Sequence, residues 1–148
     1  MAFRFALSPL LRLRQSVERQ RMLALQDAAL QLARTQDTVA HLDRFLVESA
    51  LADAASLAAG RTGAELQFAA MLREQLQQLR VRLQEEVRRL ELARQQAAAA
   101  YQQAFREREV LESLRTRQHR AYQVEQARRE QRRLDAAYLL QRWHHRGG

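Results

Sequence analysis

From Leu11 onward the apolar residues of this chain return every seven positions. Leu11, Leu25, Leu32, Val39 and Leu46 share one track, interrupted by Glu18, and Met22, Ala29, Gln36, Leu42 and Ala50 form a weaker second row. That period predicts a helix carrying a narrow apolar stripe of the coiled-coil kind. Ser8-Pro9 supply its start, with a hydroxyl for the N-cap and then a proline whose missing N–H costs nothing in a first turn. A second stripe runs through Leu72, Leu76, Leu79, Leu83, Leu90, Ala93, Ala97, Ala100, Ala104, Leu111 and Leu114, in steps of mostly three and four, with Glu86 and Glu107 breaking it. Val87, Tyr101 and Phe105 flank it. Past Leu114 the same track holds Gln118, Ala121, Glu125 and Arg128, so the helix continues with little left to bury.

Between the stripes lies AAGRTGAEL, residues 58–66, with two of the four glycines of the chain. Gly60 fits the left-handed position just past a helix end. Thr62-Gly63-Ala64-Glu65 reads as a capping box that opens the next helix, Thr62 accepting from an early N–H and Glu65 reaching back. A stop and a start so close together predict a tight αα-hairpin. The expected organisation is a single coiled-coil domain over residues 1–148, with helix one over about 8–59, a turn at 60–62 and helix two over about 63–143. The fold class is all-α: two long helices in an antiparallel coiled-coil hairpin, with a C-terminal helical overhang because the second arm is longer. Facing residues should have numbers that total about 123, which sets Leu32 near Leu90, Val39 near Leu83 and Leu46 near Leu76.

Composition narrows the picture further. Ala, Leu, Glu, Gln and Arg dominate, Ile is absent and Val and Thr are scattered, so a sheet has little to build with. The 47% apolar fraction rests heavily on alanine, and only 6% of residues are aromatic. Such a chain buries a seam, not a broad core. Modest stability without a partner follows, and a thermal midpoint above about 80 °C, against the usual ~45–65 °C, would contradict it. Cysteine is absent, which removes disulfides and thiolate chemistry and fits the cytosol. The charge-free runs are too short to span a bilayer.

Charge is unevenly spread. All 25 basic residues are arginine and the net charge is +8. Residues 1–21 and 115–148 are strongly positive, whereas 22–114 are near balance. In the predicted hairpin the two positive segments fall at the same end. Three readings of that end stand side by side: a solvated arginine face, a nucleic-acid contact, or a grip on an acidic protein surface through bidentate pairs. No groove-reading motif is present.

Candidate chemistry is sparse. His41, His119, His144 and His145 do not pair at helical spacing, Glu85 and Glu86 diverge as helix neighbours, and no phosphate loop or nucleophile elbow occurs. The sequence predicts no enzyme, no metal, no cofactor and no small-molecule substrate. Just past the turn, AELQFAAMLREQL crowds Leu66, Phe68, Met71 and Leu72 into two turns. Either they pack against the Leu51–Leu57 segment or they form an exposed apolar patch for a partner.

The start FRFALSPLLRLRQSVERQ, the long Gln/Arg/Leu hairpin, the segment QFAAML and the tail YQVEQARREQRRLDAAY together resemble the flagellar export protein FliJ family, whose relatives are the stalk proteins of type III secretion. The resemblance covers nearly the whole chain. It implies a coiled coil similar to the central stalk of rotary ATPases, a component of the flagellar type III export apparatus that does no catalysis. It implies binding to the export ATPase hexamer by the end bearing both termini, with promotion of ring assembly. It also implies contact of the turn end with the cytoplasmic domain of the export-gate membrane protein, an association with export chaperones, and a location in the cytoplasm at the inner membrane. An aromatic and a leucine four apart after the turn mark the gate contact in that family; Phe68 and Leu72 match, while Ala69 and Ala70 are smaller than usual there. For the ring-facing end, charge placement selects Arg12, Arg14, Arg19, Arg128, Arg129, Arg132 and Arg133. The alternative from another class is a basic nucleic-acid-binding or scaffold coiled coil.

Overall fold

The computed structural model describes residues 2–147. It holds two helices, α1 (Ser8–Leu57, 50 residues) and α2 (Gly63–Arg146, 84 residues), which pack against each other as an all-α helical hairpin without strands among the described residues. The chain divides into two compact units, one of residues 19–102 and the other of residues up to 18 together with those from 103 on.

In the unit of residues 19–102 the turn forms as the local chemistry requires. Gly60 is left-handed, with φ 84°, and the Glu65 N–H donates to Thr62 Oγ1 at 3.4 Å. The Glu65 carboxylate lies 3.7 Å from Arg61 Nε. α1 ends at Leu57, two residues before the expected stop, because residues 58–60 already form the turn. A Cβ at Gly60 would meet nothing within 4 Å, so the cost of a side chain there is purely backbone. Gly60→Ala should therefore destabilise the hairpin by about 1–2 kcal/mol in a urea titration.

Leu32, Val39 and Leu90 are buried here, on the track expected for them. The other seam positions differ from expectation. On α1 the second row is Ala28, Thr35, Leu42, Ser49 and Ser56, whereas Gln36 and Ala50 are exposed. On α2, Leu72, Leu79 and Ala93 are exposed, and the half-buried positions beside Leu76, Leu83 and Leu90 include Arg73, Arg80 and Arg94. The reason is chemical. Arg80 Nε donates to Asp43 and Arg73 donates to Asp53, so these two arginines lay their methylenes along the seam while their heads reach acids on the opposite helix; Arg94 pairs instead with Glu91 on its own helix. Both interhelical pairs fall within about a helical turn of the expected register.

In the other unit Phe5, Leu11 and Ala104 are buried. Leu11 N–H donates to Leu7 O at 2.9 Å and Ser8 N–H to Phe5 O at 3.1 Å. Leu7 thus accepts the first helical bond, and Ser8 is the first helical residue instead of the cap. Residues 2–5 precede α1 without regular secondary structure and are held by Phe5 and by Phe3, whose ring meets His119 edge-on at 5.0 Å and Tyr122 at 5.6 Å. Across the two helices Arg14 pairs with Glu107, Gln15 donates to Glu112 at 3.4 Å and Arg108 pairs with Glu18. From Ala127 to Gly147 every residue is exposed, and α2 continues to Arg146, three residues past its expected end.

Candidate binding surfaces

The apolar surface next to the turn is set by one carboxylate. Asp53 on α1 accepts from Arg61 of the turn at 2.5 Å and from Arg73 of α2, and Arg61 also reaches Ser56 Oγ at 3.3 Å. The Asp53 side chain is only 16% exposed. This double contact fixes the rotation of the first turns of α2, with Leu66, Ala69 and Arg73 turned inward and the residues between them turned out. Phe68 is 70% exposed, Met71 61% and Leu72 44%. Leu51 and Leu57 are exposed as well, so packing of Phe68 against that segment does not occur. At about 100° per residue, Phe68, Leu72 and Leu79 fall within a ~40° arc of α2. They form one apolar ridge. Leu79 is a member that the sequence reading placed in the seam.

The predicted arginines are distributed less uniformly. Arg128, Arg129, Arg132 and Arg133 are all exposed and make two adjacent i,i+4 ridges, 128 with 132 and 129 with 133. Arg129 lies 3.5 Å from Glu125; among the described residues the other three make no ion pair. Arg12 is exposed in the same compact unit. Arg14 is half-buried and engaged with Glu107, which also accepts from Gln103 at 3.1 Å. Arg19 is exposed but belongs to the unit of residues 19–102. Arg14 is thus committed to holding α1 on α2, and the predicted arginines without an ion pair among the described residues are Arg12, Arg19, Arg128, Arg132 and Arg133. Sequence reasoning missed the seam arginines Arg73, Arg80, Arg94 and Arg108. Their spacing in sevens and fourteens was the available signal.

The family model for the flagellar FliJ protein matches residues 3–148. The chain belongs to the flagellar FliJ family. No curated protein and no solved structure matches it significantly. As a FliJ-family protein it is a component of the flagellar export apparatus. Among the described residues no helix is long and apolar enough to cross a membrane.

Proposed function

We propose that this FliJ-family chain is a non-enzymatic stalk of the export apparatus. Its arginine-rich tail binds the hexameric export ATPase and promotes ring assembly. The Phe68–Leu72 ridge engages the cytoplasmic domain of the export gate. The protein then works in the cytoplasm at the inner face of the membrane, linking ATP turnover to export and handling export chaperones on the way. The observation that carries this reading is the tail: an unbroken exposed stretch from Ala127 to Gly147 with two parallel arginine ridges. A helix whose every side faces water gains nothing from its own fold, and its guanidinium forks suit bidentate contact with acidic side chains. Arg12 adds to this positive surface. Arg14 supports it indirectly through Glu107, and Arg19 is an exposed positive charge of the unit of residues 19–102.

The test is steady-state ATP hydrolysis and ring assembly by the cognate ATPase with rising amounts of the chain, beside a variant carrying Arg128→Glu, Arg129→Glu, Arg132→Glu and Arg133→Glu. Stimulation by the wild type, lost in the variant while helicity is kept, is expected. Absence of stimulation by the wild type sinks the ring assignment. Salt-steep retention on duplex DNA would then favour the nucleic-acid reading.

A further inference from the structure

A hollow of about 330 Å³ lies beside the N-terminal segment and is lined by Phe3, Arg4, Phe5, Ser8, Arg12 and Arg115. Three separate parts of the chain each supply an arginine to its lining: the segment before α1, α1 and α2. Among the described residues none of these three arginines makes an ion pair, and no carboxylate lines the cavity. Elsewhere Arg14, Arg61, Arg73, Arg80, Arg89, Arg94, Arg108 and Arg129 hold acids, and what sets Arg4, Arg12 and Arg115 apart from the other unpaired arginines is that they line one hollow.

We propose that this cavity binds a phosphate group. The three arginines that line this hollow are exposed, an anion seated among them would offset their mutual repulsion, and Phe5, which is buried, gives the hollow an apolar wall. The helix start adds little by itself, because Ser8 N–H is already taken by Phe5 O at 3.1 Å and Pro9 has no N–H. Recognition therefore falls to the guanidinium groups, with the Ser8 hydroxyl beside them. Three planar forks need more acceptors than the two oxygens of a carboxylate. A phosphate offers several oxygens in a tetrahedral array and up to two charges. The contacts of Phe3 with His119 and Tyr122 hold the segment so that Arg4 stays at the rim. The source of the group is either a free phosphate compound or the headgroup of an anionic lipid.

The experiment is calorimetric titration of the full chain with inorganic pyrophosphate at fixed ionic strength. Arginine Nε–Hε resonances are followed by NMR in the same buffer. Saturable binding of one equivalent is expected, weakened ~10-fold or more by Arg115→Gln, less by Arg115→Lys, and unchanged by Arg142→Gln, which removes the same charge from the exposed tail. Circular dichroism and a melting curve establish that each variant folds. Competition of the bound pyrophosphate by phosphatidylglycerol vesicles would assign the group to a lipid; its absence would assign it to a free phosphate compound. No saturable binding at millimolar pyrophosphate overturns the proposal, and so does equal loss from Arg115→Gln and Arg142→Gln. The measurement needs no ATPase, so its failure is distinguishable from failure of the stalk reading, although Arg12 figures in both.

Discussion

Alanine at both Phe68 and Leu72 should weaken binding of the chain to the cytoplasmic domain of the export gate by roughly 100-fold or more, with the melting curve unmoved. Each side chain is a large apolar group already in water, 70% and 44% exposed, so its truncation removes little from the fold. At an interface the same groups act as anchors, and a buried aromatic or leucine anchor contributes about 2 kcal/mol, or roughly 30-fold in affinity. The two effects do not simply add, since the residues are adjacent on one ridge. Titration of the isolated gate domain by surface plasmon resonance measures this directly. Leu23→Ala with Leu30→Ala, an equally exposed pair on α1, should leave affinity within about threefold, as expected of residues outside a hot spot. Equal affinity of wild type and the Phe68/Leu72 variant would remove the ridge from the gate contact. A matching fall in melting temperature would show instead that the ridge supports the fold.

Arg108→Leu should destabilise the protein by about 2–3 kcal/mol, and Glu18→Leu introduced with it should restore most of the loss. Arg108 pairs with Glu18 across the helices, donates to Glu112 at 2.6 Å and lies 4.9 Å over the Phe105 ring. The Arg108 and Glu18 side chains are only 16% and 17% exposed. Burial works against the Arg108 charge, but Glu18 and Glu112 outweigh it and move its pKa upward, so it stays protonated at every working pH. Without the arginine, Glu18 keeps a carboxylate in the seam with no counter-charge. Breaking a fully buried pair costs about 3–5 kcal/mol, and the lower figure expected here reflects a seam that water reaches from both flanks. The double variant removes the stranded charge and fills the space with methylenes, which often recovers or exceeds the original stability. Urea denaturation of the four proteins completes the cycle. No loss in the single variant would mean that the pair is solvated in solution.

The legible parts of the sequence were those where one residue type has one physical use. Gly60 marked the turn because only glycine takes a positive φ without penalty, and Thr62 marked the next helix because its hydroxyl closes an N–H. Leu11, Leu32, Val39 and Leu90 marked the seam because nothing else accounts for leucines in sevens. Hydropathy failed where a residue has two characters. Arg73 and Arg80 score as surface, yet their stems lie in the seam, and Leu72 and Leu79 score as core, yet they form the ridge. Thr35, Ser49 and Ser56 fit the seam through small size, a property that an apolar count does not register. The tail arginines were visible as a charge run. The hollow of Arg4, Arg12 and Arg115 was not, because it depends on a fold contact between the first residues and the middle of α2.

The acid–arginine pairs of the seam also work as a vernier. Asp43 and Asp53 stand ten residues apart on α1, while their partners Arg80 and Arg73 stand seven apart on α2. If α2 slides by one heptad, the apolar track still finds an apolar track, which is the usual weakness of a repetitive coiled coil. The two rulers, however, have different graduations. A slide that brings Arg80 to Asp53 leaves Asp43 opposite Val87, and the reverse slide brings Arg73 to Asp43 and leaves Asp53 opposite Leu66. Only one alignment reads true at both marks, so the two pairs favour a single axial position for a helix that leucine and alanine alone would let drift.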